Sequence, residues 1–134
     1  KKLNFDYFQI YNCTPSEIEL IKDKYKTKII TAIKVNKKKD VDKYKEYLDV
    51  TDIFLFDSDG MEKSLSFNHE FIKNLNLKKE IMLAGNIQID DQLEDYNKIA
   101  NIIDISGGLE TSGLKDIFKI EAFLNKIEKI NNET

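Results

Sequence analysis

The sequence predicts an α/β protein built from repeated βα units around a parallel sheet, and three observations predict it. Five short runs rich in β-branched and aromatic residues recur along the 134 residues: YFQIY at 7–11, KIITAIKV at 28–35, DIFLFD at 52–57, EIMLAG at 80–85 and NIIDIS at 101–106. Each is followed by a stretch whose apolar residues fall at helical spacing. Run onsets near 7, 28, 52, 80 and 101 place successive strands 21 to 28 residues apart, the length of one βα unit with short loops.

The intervening helices are read as PSEIELIKDKY, DVDKYKEYLD, NHEFIKNLN, DDQLEDYNKI and DIFKIEAFLNKIEKI. Their starts carry capping chemistry: Thr14 followed by Pro15, then Asp40, Asn68, Asp90 and Asp116, each just ahead of an amphipathic stretch. The strands are nearly continuous apolar runs, which predicts burial on both faces of a parallel sheet. Ligands of such sheets gather at the carboxyl ends of the strands. Three of those ends stand out: FLFDSDG with Asp57, LAGN with Gly85 and Asn86, and DISGGLE with Ser106, Gly107 and Gly108. The last two lie on consecutive strands, and their small residues let backbone N–H groups converge on an anion between neighbouring loops.

Length and composition bound the rest. At 41% hydrophobic and 34% charged, 134 residues make one core, so residues 1–134 are read as a single βα-repeat domain. The net charge is −3 and every basic residue is lysine, so the planar guanidinium fork used to read phosphates and bases is missing and nucleic-acid binding is not expected. KVNKKKD at 34–40 reads as a solvated loop. One cysteine, Cys13, excludes an internal disulfide and a multi-cysteine metal site, and no apolar run reaches the length of a signal or membrane segment. A cytoplasmic protein without metal or membrane contact is the expectation. The chain opens on Lys1 without an initiator methionine and meets an apolar run at Phe5, so an earlier segment is expected upstream.

Individual residues admit bland readings as well. Asp57 serves either as a cap of the following turn or as a catalytic carboxylate, and Asp59 beside Gly60 reads as a turn residue. His69, at the start of a helix, is expected to face solvent. Asp104 lies inside an apolar strand, where an unpaired carboxylate is expensive, so it is expected to meet a lysine, backbone donors or a residue from a segment outside this sequence. Glu110 is expected to order its loop. The units fit either an open sheet with helices on both faces, as in flavodoxin-like folds, or part of a closed eight-unit barrel, in which the loops after the last two strands are the usual phosphate site.

Read together, these stretches resemble the phosphoribosylanthranilate isomerase family of tryptophan biosynthesis. FQIYN at 8–12 is similar to that family's QLHG strand, TAIKV at 31–35 to its fifth strand, FLFDS at 54–58 to its LLDS and LAGN at 83–86 to its LAGG. DISGGLETSGLKDIFKIEAF at 104–123 is the most specific block, resembling DVSSGVE followed by G.KD, KI and F at matching spacing. The resemblance implies a partial (β/α)8 TIM barrel whose five βα units correspond to strands four to eight. It also implies an intramolecular aldose-ketose isomerase that converts N-(5-phosphoribosyl)anthranilate to its 1-deoxyribulose 5-phosphate isomer by an Amadori rearrangement, without a cofactor.

By the same resemblance Asp57 is the general acid, while Gly85, Asn86, Ser106, Gly107 and Gly108 hold the phosphate of a small phosphosugar. An acid of this kind needs a carboxyl whose pKa is raised by burial, or a coupled proton delivery. The family's general base is a cysteine in a KxCG-like motif on the first strand, outside the stretch matched here; Cys13 lies at a different strand end and reads as a loop residue. Tyr11 stands where the family has the LHG histidine, Asn86 where it has the second glycine of LAGG, and SDGMEKSLSFNHEF replaces a GGTG-containing loop. These departures make a catalytically inactive descendant that binds a phosphate ligand or a protein the alternative function. Other phosphosugar barrel enzymes fit less well, because these strand ends lack a catalytic lysine and glutamate pair or metal-binding histidines. A partial barrel would leave apolar edges for an amino-terminal segment or a second copy to cover.

Overall fold

The computed structural model describes residues 4–58 and 68–133. In chain order the elements are β1 (Tyr7–Ile10), α1 (Pro15–Tyr25), β2 (Lys28–Val35), α2 (Lys38–Val41) running into a 3-10 segment (Asp42–Tyr47), and β3 (Ile53–Ser58). There follow a 3-10 turn (His69–Phe71), β4 (Glu80–Leu83), α3 (Leu93–Asn97), β5 (Ile102–Ile103), the short strands β6 (Glu110–Thr111) and β7 (Leu114–Lys115), and α4 (Ile117–Glu133). Asp59, Gly60 and most of SDGMEKSLSFNHEF lie outside the described residues.

The first five strands form one parallel sheet in the order β1-β2-β3-β4-β5, so each strand pairs with its successor. A flavodoxin-like sheet has its first strand inside and an order of 2-1-3-4-5. No such reversal occurs here, and the flavodoxin-like alternative is set aside. Helices collect on one side of the sheet: Val41, Tyr44, Ile72, Leu93, Phe123 and Ile130 pack on Ile33, Val35, Phe54, Phe56, Ile81 and Leu83. The opposite side carries a second apolar layer of Ile30, Ala32, Ile53, Leu55, Met82, Ala84 and Ile102. Burial on both faces is why β2 and β3 read as unbroken apolar runs.

Local chemistry explains where the helices begin. Thr14 and Glu17 form a reciprocal capping box, with Pro15 at the first turn of α1; such a cap contributes about 1 kcal/mol. Asn68 accepts from the Glu70 amide, and Asp116 from the amides of Phe118 and Lys119. Asp40 does not occupy the cap position: it sits in the first turn of α2 and reaches back to the amides of Asn36 and Lys37. Asp90 gives no cap either, since α3 starts after Gln92, and Asp91 instead accepts from the Gln88 amide. The helix expected over NHEFIKNLN shrinks to one 3-10 turn. KVNKKKD is not a solvated loop throughout: Lys34 and Val35 end β2 with Val35 buried, residues 36–39 are exposed, and the last residues belong to α2.

His69 departs from expectation. It is half-buried and packs edge-on against Tyr96 with ring centroids 4.9 Å apart, and burial depresses its pKa. At the amino-terminal base of the sheet, Asp52 accepts from the Ile29 amide at 2.8 Å and Lys22 Nζ at 3.0 Å. Nearby, the fully buried hydroxyls of Thr31 and Thr51 meet at 2.6 Å. Thr51→Val strands the Thr31 hydroxyl in an apolar layer and is expected to cost about 1–3 kcal/mol in urea unfolding of the full-length protein, while adding Thr31→Val recovers part of that loss.

Candidate active site

Strand alternation carries the second apolar layer upward into a polar rim. On the face turned away from the helices, Ile30 and Ala32 of β2 are followed by Lys34, Ile53 and Leu55 of β3 by Asp57, and Ile102 of β5 by Asp104. Gln9 of β1 lies in register with Ile30, and Lys34 with Asp57, so the same face gathers Gln9, Tyr11, Lys34, Asp57 and Asp104 at the carboxyl ends. The Tyr11 hydroxyl donates to Asp57 Oδ2 at 3.4 Å, and Gln9 Nε2 donates to the Tyr11 oxygen at 3.2 Å.

This environment raises the Asp57 pKa. Burial is the largest cause; the Ser58 amide pulls the value back, the Asp104 charge pushes it up, and Tyr11 and Lys34 oppose that push. Burial and the Asp57 charge raise the Tyr11 phenol as well, keeping it a donor. Asp104 is half-buried, and its side chain has no hydrogen bond or ion pair among the described residues, so the partner expected for it is not found among them. Gln9 escaped the sequence reading and Lys34 is read there as part of a solvated loop, although a charge one residue before the end of an apolar run was the signal that could have placed Lys34 on the sheet. Cys13 lies in the loop after β1, its carbonyl accepting from the Tyr47 hydroxyl at 3.0 Å.

The two small-residue loops come together beside this rim. Gln88, after β4, forms a parallel bridge with Gly108, after β5. A methyl group on Gly108 would lie 2.2 Å from the Ile87 carbonyl oxygen, so this close approach needs glycine. Gly85 has φ of +95°, and a side chain there would strike Ser58 at 2.8 Å; Asn86 follows at φ of 53°, its Oδ1 accepting from Gln88 Nε2 at 3.0 Å. Gly107 has open space around it. Beyond it, β6 and β7 form a hairpin in which Glu110 faces Lys115. Lys115 Nζ donates to Glu110 Oε1 at 2.6 Å, the Ser106 carbonyl at 3.0 Å and Ser106 Oγ at 3.1 Å, so Glu110 orders the loop. Among the described residues, no group of three or more His, Cys, Asp or Glu side chains could hold a metal ion, and no helix is long and apolar enough to cross a membrane.

A parallel βα array with a carboxylate on its carboxyl rim and two convergent loops beside it is an α/β protein of the class that handles ligands at strand ends. Residues 1–126 match the family model described as N-(5'-phosphoribosyl)anthranilate isomerase, and the chain belongs to that family. It is 33% identical over 132 residues to the N-(5'-phosphoribosyl)anthranilate isomerase of Petrotoga mobilis, covering 94% of this chain and 62% of that one. A Thermoanaerobacter relative of the same name is 31% identical over 137 residues, at 96% and 64% coverage. The chain thus spans less than two thirds of the length of these relatives. In fold it is similar to the phosphoribosyl anthranilate isomerase of Thermococcus kodakaraensis, with a TM-score of 0.71 at 22% identity over 91% of this chain and 63% of the other.

Two outcomes test this geometry. Gly108→Ala is expected to destabilise the full-length protein by about 1–3 kcal/mol through the Ile87 clash, whereas Gly107→Ala stays within about 0.5 kcal/mol, as urea unfolding would report. A carboxyl whose native pKa is raised contributes stability below the ordinary carboxylate range and loses it as pH rises through the native value. Asp57→Asn is therefore expected to unfold at higher denaturant than the parent at neutral pH, with the difference closing in acid.

Proposed function

We propose that residues 1–134 are one βα-repeat domain supplying strands four to eight of a (β/α)8 barrel, and that the complete protein isomerises N-(5-phosphoribosyl)anthranilate in tryptophan biosynthesis. Asp57 is the general acid. The reading is carried by one observation: burial favours the protonated form of a carboxyl on the ligand-facing rim, as proton donation at neutral pH requires.

The proton passes from Asp57 to the furanose ring oxygen, the bond from that oxygen to C1 breaks, and a Schiff base forms with the anthranilate nitrogen. A base outside these residues then removes the C2 proton, and the resulting enolamine tautomerises to the 1-deoxyribulose product. Once Asp57 has given up its proton, the Ser58 amide, the Tyr11 hydroxyl and the Lys34 charge stabilise the carboxylate left behind. No cofactor takes part. Gly85, Asn86, Ser106, Gly107 and Gly108 hold the phosphate, whose distance from the acid is set by the contact of Gly85 with Ser58. The outer edges of β1 and β5 have no strand neighbour among the described residues, and amino-terminal βα units or a second copy cover them in a cytoplasmic enzyme.

Complementation of a tryptophan auxotroph lacking the isomerase checks the reading. The complete gene is expected to restore growth and its Asp57→Asn form to fail; equal growth would remove Asp57 from catalysis. Gly107→Asp has room for its side chain, so it is expected to keep the parent's stability while weakening substrate binding through charge repulsion, measurable by calorimetry.

A further inference from the structure

We propose that Lys115 is a positioning residue that turns the Ser106 hydroxyl into a fixed donor toward the phosphate end of the substrate, an inference that rests on the phosphate-site reading above. An ammonium group only donates hydrogen bonds, whereas a serine hydroxyl has one hydrogen to give and two lone pairs. With Lys115 Nζ 3.1 Å from Ser106 Oγ, the serine oxygen accepts from that side, and its own hydrogen points elsewhere. The same ammonium, held 3.0 Å from the Ser106 carbonyl, fixes the backbone at the point where the loop enters Gly107 and Gly108.

Glu110 keeps this arrangement in place. It sits across from Lys115 in the hairpin register and accepts at 2.6 Å, so neither partner is free to swing away. A second lysine, Lys119, donates to the Glu110 carbonyl at 2.6 Å, and Thr111 is tied to Asp116 at 2.7 Å, which stiffens the hairpin that bears both ends of the pair. Glu110 also offsets the Lys115 charge. The anion is therefore recognised through an oriented hydroxyl and main-chain donors rather than by a bare cation. Lys115 acts through Ser106.

The test uses the full-length protein with Lys115→Met, Ser106→Ala and the double variant, measuring inorganic phosphate affinity by calorimetry and KM and kcat for the phosphoribosyl substrate. Lys115→Met is expected to weaken phosphate about tenfold and raise KM by a similar factor, with kcat inside about twofold. On the Ser106→Ala background, the same change is expected to add less than about twofold. Additive losses, a loss confined to kcat, or unchanged phosphate affinity in a folded Lys115→Met protein would each overturn the proposal. If Lys115→Met does not fold, Glu110→Gln takes its place; a loss in the same direction, absent on the Ser106→Ala background, supports the proposal, and no loss overturns it. A parent protein that binds no inorganic phosphate removes the phosphate site together with this inference. Binding by the parent and equal binding by Lys115→Met removes the inference alone.

Discussion

Burial of the central strands on both faces governs where charge can stand in this protein. Along most of β2 and β3, a side chain meets either the helix-packed layer or the second apolar layer, and an unpaired charge in either place is expensive. On the face turned from the helices, polar groups are therefore held to the strand ends, with Lys28 and Glu80 at the amino ends and the polar rim at the carboxyl ends. Lys34, Asp57 and Asp104 occupy those ends in strands two, three and five. Strand pairing in simple succession keeps these ends level with one another, since no strand is inserted out of order to break the row. The polar rim is thus a by-product of the same alternation that builds the core.

That rim is electrostatically mixed, and the mixture suits a proton donor. Burial disfavours the charged form and a neighbouring carboxylate disfavours a second negative charge, so burial and Asp104 both push the Asp57 pKa up. Opposing them are an amide, a phenol and a lysine, each of which favours the ionised form. A group pulled in one direction alone would either keep its proton or never hold it. The acid role proposed for Asp57 would use both pulls, since the group must be loaded and unloaded within one cycle. The cost is local: a half-buried carboxyl with a raised pKa works against folding at neutral pH, a common exchange of stability for activity.

How much of this the sequence disclosed follows from the range of the forces involved. Strand β2 was legible residue for residue and α1 likewise, because a continuous apolar run and a Thr-Pro start with glutamate three residues on are local signals. The helix expected from NHEFIKNLN was not formed beyond one turn, and its histidine turned inward onto Tyr96, a partner 27 residues away that no local pattern names. Asp57 and the two loops were readable as strand ends. Their mutual arrangement was not, since the Tyr11 contact with Asp57 spans 46 residues and depends on register. Lys34 reads as a solvated loop lysine for the same reason: only its register partner, Asp57, places it on the rim.

The link between Asp57 and the loops is made by backbone rather than by long side chains. Ser58 follows Asp57 directly, and its amide nitrogen and hydroxyl lie where a side chain on Gly85 would have to go. One unit further, the Ile87 carbonyl excludes a side chain from Gly108, so the loops after β4 and β5 are pressed together at a second glycine. Two such contacts in series fix the spacing from the Asp57 carboxyl to Ser106 and Gly107 through peptide groups, which have few soft torsions. Flexible side chains would blur that spacing by the rotamers available to them. The rearrangement proposed above, which protonates one end of a sugar while the other is gripped, would depend on this spacing being held before the substrate arrives. In this view, Gly85 and Gly108 matter for the distance they enforce.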